Sequence, residues 1–256
     1  MIDKKMIILG HKIIGNGEKY ILVLHELMGD HKNYDPILPY IDTSNFTYIF
    51  VDLRGYGMSK EIFGDYTCVE AANDVKNLIS HLKLTNVNLL AHSMSTMIAQ
   101  KIALIDERIK QLILITPISA EGIKMKQEAQ NELILRMQQN KNKIEEIVES
   151  ASKRYNKIWF NYRVKMAYEA SIIDARVGYM KMYLTTNFIH EVKNIKVPIK
   201  IMTGKYDFPV FSKQNIEKLF EPYYNDFKII ECQEAGHYPM IECPVYFVSE
   251  IEKISI

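Results

Sequence analysis

VNLLAHSMSTMIAQKIAL, residues 87–104, decides how the rest of the chain is read. Its first five residues, Val87 to Ala91, are a short apolar run of the kind that forms a strand buried on both faces. An apolar run with helical spacing begins just after Ser93 and continues towards Leu104. Between the two, Ala91-His92-Ser93-Met94-Ser95 places a serine at a sharp strand-to-helix turn with a small residue two positions away on either side. That is the geometry of a nucleophile elbow, which lifts the serine Oγ beyond the sheet edge and leaves the next N–H free to bind an oxyanion. Taken alone, the pattern also fits a serine that merely caps a helix.

Working outward, the runs Thr47–Asp52, Gln111–Thr116, Ile199–Gly204 and Phe227–Glu231 read as further buried strands. Upstream, Met6–Leu9, Lys12–Ile14 and Tyr20–Leu24 are separated by Gly10 and by Gly15-Asn16-Gly17, consistent with antiparallel edge strands joined by turns. Eight strands result. Alternation with helices implies an α/β chain with a mostly parallel sheet. Thr67-x-x-Glu70 opens a helix whose apolar residues Ala71, Val75, Leu78, Ile79 and Leu82 share one face. Shorter helices are expected near Ser212–Leu219 and after Pro244. From about Glu121 to His190 the strand signal vanishes and three or four helical periods replace it. No Gly/Ser/Pro-rich linker flanks this stretch, so it reads as an insertion at 121–190, after the sixth strand, into one core formed by 1–120 and 191–256.

The 256 residues are 48% hydrophobic and 25% charged, enough for a large core without metals or disulfides. A net charge of +1 with interspersed signs argues against nucleic acid as a partner. Cys68, Cys232 and Cys243 form no C-x-x-C pair and suit a reducing compartment, so a cytoplasmic location is expected. The apolar start is cut by Gly10, His11 and Lys12, too early for a signal-peptide core, and no run approaches the ~20 apolar residues of a membrane span.

Two further residues fall where open α/β sheets place their ligands, on loops following strands. Asp207 follows Ile199–Gly204, and His237 follows Phe227–Glu231. With Ser93 they give the chain order serine, acid, histidine. Asp52-Leu53-Arg54-Gly55-Tyr56-Gly57-Met58-Ser59 matches a D-x-R-G-x-G-x-S turn, and His25-Glu26-Leu27-Met28-Gly29 stands where H-G-x-x-G is usual. In these motifs, and over essentially its whole length, the chain resembles the α/β-hydrolases that carry a helical cap. Its GYGMS and AGHYPMIECP segments are similar to those of small carboxylesterases and lactonases, including pimeloyl-thioester methyl esterases and acyl-homoserine-lactone hydrolases.

The resemblance implies a serine hydrolase cleaving a small carboxylic ester or lactone, with Ser93 as nucleophile, His237 as general base and Asp207 orienting it. Met94 and Leu27 would supply the oxyanion N–H groups, with no metal or organic cofactor. Thioester or C–C cleavage remains open within the class. Three departures stand out: Ala91 and Ser95 replace the elbow glycines, and Glu26 replaces the oxyanion-loop glycine. A carboxylate at Glu26 would oppose the anion unless it turns to solvent or pairs with a cation such as Arg54. Glu26 and Ser95 also motivate a second reading, a ligand- or partner-binding protein that keeps the fold without catalysis.

Glu26, His92, Trp159 and Tyr238 are the candidate substrate-binding residues, with His92 either structural or pocket-lining. Trp159, Phe160, Tyr162, Met166, Tyr168, Tyr179, Met180, Met182, Tyr183 and Phe188 either pack the insertion on itself or roof the site with an apolar lining. His25-Glu26-Leu27-Met28-Gly29 lacks the second histidine of H-E-x-x-H, so no zinc site is expected. His11, His31, His81 and His190 have no partner pattern in the sequence and read as surface or core-edge residues. The expected partner is a small-molecule substrate, and the chain is expected to be a monomer or homodimer.

Overall fold

Lys19–Leu24 (β2) reads KYILVL, and its last four residues are buried, which requires neighbours on both edges and both faces. In the computed structural model, which describes residues 6–139, 142–151 and 154–255, β2 lies inside a sheet ordered β1-β3-β2-β4-β5-β6-β7. The other strands are β1 (His11–Gly15), β3 (Phe46–Val51), β4 (Val87–His92), β5 (Ile109–Ile115), β6 (Ile199–Gly204) and β7 (Phe227–Cys232). β2 pairs parallel with β3 and β4, whereas β1 runs antiparallel to β3 at the edge. The antiparallel meander expected at the start is therefore limited to β1. HKIIG, with Ile13 half exposed, tolerates an edge, and KYILVL does not.

Seven strands form among the described residues, not eight. The missing one is Met6–Leu9, which has no strand conformation; Leu9 is buried but Met6 is exposed. The backbone that follows is tied to the Asp52–Ser59 turn instead: the Gly10 N–H donates to Ser59 Oγ at 2.7 Å and the Asp52 N–H to the Gly10 carbonyl at 2.9 Å. Residues 1–5, the basic start of the N-terminal run, lie outside the described part.

Alternate residues serve the two faces of the sheet, as a pleated strand demands. Leu22, Leu24, Leu89, Ala91, Leu112 and Leu114 join the cluster that contains α1 (Cys68–His81) and α2 (Ser95–Ile105). Ile21, Val23, Leu90, Ile113 and Ile115 face the opposite cluster, with Phe247 and Ile251 of a C-terminal helix, Pro244–Ile254. The Thr67 hydroxyl caps α1 by accepting from the Glu70 N–H at 3.1 Å. The Glu70 carboxylate does not close the capping box. It accepts from the Tyr66 N–H at 2.8 Å and pairs with Arg54.

Between β5 and β6, among the described residues, come four α-helices, α3 (Gln127–Gln138), α4 (Lys143–Ala151), α5 (Lys157–Ala170) and α6 (Ile173–Thr185), followed by a short 3-10 helix, Ile189–Asn194. These helices follow the fifth observed strand, the sixth expected from the sequence, because Met6–Leu9 forms no strand. Ser152 and Lys153, inside the expected helical insertion at 121–190, lie outside the described residues. After β6 come α7 (Lys213–Phe220), α8 (Pro239–Glu242) and α9 (Pro244–Ile254). No helix among the described residues is long and apolar enough to cross a membrane. Because β2, β4, β5, β6 and β7 are parallel, the loops after β2, β4, β6 and β7 all emerge at one edge of the sheet. That edge is where the candidate residues lie.

Candidate active site

Ser93 occupies the turn between β4 and α2 with φ +52°, a left-handed conformation that costs a non-glycine residue about 1–3 kcal/mol. The turn is held from both sides. The Ser93 N–H donates to the Ile115 carbonyl of β5 at 2.9 Å, and the Thr96 N–H and hydroxyl donate to the Ser93 carbonyl at 3.0 and 2.6 Å. Ala91, the next-to-last residue of β4, is fully buried, so the position that families of this kind fill with glycine here accepts one methyl group. The Ser95 hydroxyl, the other departure, donates to the His25 carbonyl and so ties the elbow to the loop after β2.

His237 shares a cavity of about 270 Å³ with Ser93. Its Nδ1 lies 3.0 and 2.9 Å from the two carboxylate oxygens of Asp207, whose side chain is fully buried. Asp207 is fixed in turn by the Phe208 N–H, which donates to it at 2.6 Å. Burial works against a charged His237 ring, but the charge and hydrogen bond of Asp207 outweigh it, with Glu26 and Glu242 adding to them. The net result is a pKa above the usual imidazole value. Phe208, Phe211 and Tyr238 stand around the ring at centroid distances of 5.7, 4.9 and 5.3 Å, a mostly apolar surround that limits water.

Leu27 lines the cavity, and Met94 follows Ser93 at the start of α2. Among the described residues neither amide donates a hydrogen bond, as an oxyanion site requires. The remaining wall includes Ile118, Ile123, Leu133, Ile147 and Tyr183.

The family model of the alpha/beta hydrolase fold matches residues 19–151, just over half of the chain. The chain belongs to the alpha/beta hydrolase family. A curated relative, the AB hydrolase superfamily protein YisY of Bacillus subtilis (strain 168), is 37% identical over 86 residues, a stretch covering 34% of this chain and 32% of that protein. Among solved structures, an esterase from Exiguobacterium antarcticum superimposes with a TM-score of 0.85 at 22% identity, over 95% of this chain and 93% of that one. The enol-lactonase from Burkholderia xenovorans LB400 gives 0.79 at 18% identity, over 96% and 95%. At such identities these two likenesses speak for the fold.

Within this alpha/beta hydrolase the other sequence candidates separate. Glu26 and Tyr238 reach the cavity wall. Glu26 neither faces solvent nor pairs with Arg54: it is 2% exposed, while Arg54 is engaged by Asp74 and Glu70. Its partner is Arg163 of α5, at 3.5 Å. His92 does not line the cavity. It is fully buried beneath the loop of His237, and its Nε2 donates to the His237 carbonyl at 2.7 Å. Burial and the neighbouring His237 hold its pKa well below the ordinary imidazole range, so it supports the loop as a neutral ring.

Trp159 is also displaced from the Ser93 cavity, because it opens onto a separate surface hollow with Tyr155 and Phe160. It meets the site at the Tyr238 ring, 6.2 Å between ring centroids. Of the aromatic and methionine side chains named in the insertion, Tyr183 reaches the wall, where Ile123, Leu133 and Ile147 stand with it. His31 is not an unpartnered surface residue either: its Nδ1 lies 2.7 Å from Asp52, which keeps the Asp52–Ser59 turn in place.

Three contributors escaped the sequence reading. Glu242 accepts from the Gly236 N–H at 2.7 Å and the Tyr238 N–H at 3.0 Å, clamping the backbone on both sides of His237. Asn33 and Arg163 engage Glu26. Only Glu242 had a local signal, a carboxylate shortly after a glycine-histidine loop at a helix start. The other two are brought in by packing between distant segments.

Proposed function

We propose that this alpha/beta hydrolase is a serine hydrolase acting on a small carboxylic ester or lactone through an acyl-enzyme, with residues 121–190 as its cap. The observation that carries the reading is the placement of Ser93, on a left-handed elbow, in one cavity with His237, whose far nitrogen is bonded to a buried Asp207. His237 takes the Ser93 proton as Oγ attacks the acyl carbon, and Asp207 holds the tautomer that leaves Nε2 free to accept it. The Leu27 and Met94 N–H groups stabilise the oxyanion, each worth about 10²–10³ in rate. His237 then protonates the leaving alcohol. A water molecule, deprotonated by the same ring, releases the acid.

The predominantly apolar wall favours an uncharged acyl part, and a volume of about 270 Å³ falls just below the usual range for ligand pockets, about 300–1,000 Å³, which suits a small substrate. An esterase and an enol-lactonase among the structural neighbours agree with an ester or lactone. The non-catalytic alternative loses both of its motives, since the Ser95 hydroxyl has a partner and Glu26 is paired. The balanced composition and absence of a C-x-x-C pair support a cytoplasmic location.

The test is labelling with a fluorophosphonate probe together with hydrolysis of p-nitrophenyl esters of rising chain length. Wild type is expected to label and turn over, with a preference for short to medium chains, and Ser93→Ala to do neither. Turnover that survives in Ser93→Ala refutes the assignment.

A further inference from the structure

Glu26 sits where a carboxylate is least welcome, on the wall of the cavity in which Ser93 would generate an oxyanion. It is nonetheless built into the loop after β2. One carboxylate oxygen accepts from the Met28 N–H and the other from Asn33 Nδ2 at 2.9 Å, so the side chain cross-links residues 26, 28 and 33. The loop that carries the Leu27 amide is therefore shaped by a negative charge. Something must balance it.

We propose that Arg163, from the inserted helix α5, is a positioning residue for this site: it neutralises Glu26 so that the carboxylate can brace the oxyanion loop without opposing the oxyanion. The inference rests on the serine-hydrolase reading above. Arg163 is fully buried, its Nη1 donates to Asn33 Oδ1 at 2.8 Å, its Nη2 lies 3.5 Å from Glu26, and its guanidinium stacks 4.1 Å from the Tyr238 ring centroid. Glu26, Asn33, Arg163 and Tyr238 thus form one buried unit joining the oxyanion loop, the insertion and the residue after His237.

Stability is a poor explanation for this unit. Burying two opposite charges repays the lost hydration only when the geometry is excellent and the remaining donors are satisfied. Here the direct contact is long, and among the described residues Arg163 Nε has no partner. What the pair does accomplish is to cancel a charge beside the reacting atoms. Among the described residues the charged and titratable groups facing His237 include Asp207 after β6, Glu242 of α8, His92 of β4, Glu26 after β2, the neighbouring Tyr238 and, across its ring, Arg163 of α5. Lys143 of α4 stands at the cavity wall but pairs with Glu146, and the buried Arg176 donates to Ser171 and the Ala167 carbonyl. Removing Arg163 leaves Glu26 unbalanced towards both the oxyanion and the imidazole.

The experiment compares wild type, Glu26→Gln, Arg163→Met and the double variant on p-nitrophenyl acetate across pH, with circular dichroism and thermal melting to establish folding. Arg163→Met is expected to lose about 30-fold or more in kcat, approaching the loss of an oxyanion donor, with KM within about threefold. The acid limb of its kcat/KM profile should move to higher pH, because an unbalanced anion favours the charged ring. The double variant is expected to fall within about threefold of Glu26→Gln, since a neutral side chain has no charge to balance. A double variant as slow as Arg163→Met overturns the proposal, as does Arg163→Met within threefold of wild type. If Arg163→Met does not fold, Glu26→Gln and the double variant decide alone: a gap of tenfold or more between them refutes it. Ser93→Ala is assayed alongside. Undiminished turnover there removes the hydrolase reading, and this inference with it, whereas a dead Ser93→Ala with undisturbed Arg163 variants removes only the inference.

Discussion

Replacing Gly204 with alanine tests how the acid and the base of the proposed triad are held together. Gly204 ends β6 three residues before Asp207 and lies against the loop that carries His237. A Cβ there would come 1.9 Å from the Gly236 oxygen, 2.7 Å from the Gly236 carbonyl carbon and 2.8 Å from the Ala235 oxygen. All three are backbone atoms, so no side chain can swing aside. The two loops cannot part freely either, because the Lys205 N–H donates to the Cys232 carbonyl and the Tyr206 N–H to the Ala235 carbonyl, both at 3.0 Å.

Relief demands a displacement of roughly an ångström at Gly236, immediately before His237, and an error of that size in a catalytic group costs about 10²-fold in rate. Overpacking adds about 1–3 kcal/mol of destabilisation, which for a chain of this size lowers Tm by about 2–6 °C. The assay is kcat on p-nitrophenyl acetate, normalised to sites that a fluorophosphonate titrates, with thermal melting followed in parallel. A Gly204→Ala enzyme with kcat within threefold of wild type and an unchanged Tm would show that the close approach does not position the histidine.

His237 gives a pH signature with two opposed consequences. Its pKa is raised in the folded chain, burial being outweighed by Asp207, and only the neutral ring can accept the Ser93 proton. The acid limb of kcat/KM should therefore have its midpoint above the ordinary imidazole value of about 6.5, and a midpoint below it contradicts the assignment. The same raised value stabilises the fold fully below the unfolded pKa, and that contribution is lost as pH rises through the folded pKa. Urea unfolding across this window should show the Asp207–His237 contribution shrinking while activity grows, and Asp207→Asn should flatten that dependence. Glu242→Gln replaces one of the two acceptors that clamp Gly236 and Tyr238. Losing a charge-assisted bond of about 1.5–3 kcal/mol should lower kcat roughly 10- to 100-fold and move the acid limb to lower pH, because Glu242 helps raise the His237 pKa. A change in Tm with kcat and the limb unaffected would mark Glu242 as purely structural.

What the sequence determined by itself lies in local pattern. VNLLA followed by a serine and an apolar helical run sufficed for the β4–Ser93–α2 elbow, because strand burial and helix periodicity are written within a few residues of where they act. Asp207 and His237 were legible for the same reason, each sitting on a loop just beyond an apolar strand run, although Phe227–Cys232 (β7), read as buried, is the sheet's edge strand and only Cys232 of it is buried.

What the tertiary structure alone decided is which surfaces meet. Met6–Leu9 has strand composition yet is left without a strand partner, its following backbone bonded to Asp52 and Ser59 instead. KYILVL could have joined a meander, but burying it on both faces required the centre of the sheet. Glu26 read as a flaw in the oxyanion loop because its cation, Arg163, is 137 residues away and arrives only when α5 docks. Trp159 was the substrate-binding candidate and Tyr183 only one of the aromatic side chains of 121–190, yet the packing of these helices turned Tyr183 to the cavity and Trp159 to another hollow. Backbone preference acts between neighbours in sequence, whereas the partner of a buried charge or an aromatic ring is set by the placement of elements far apart in the chain.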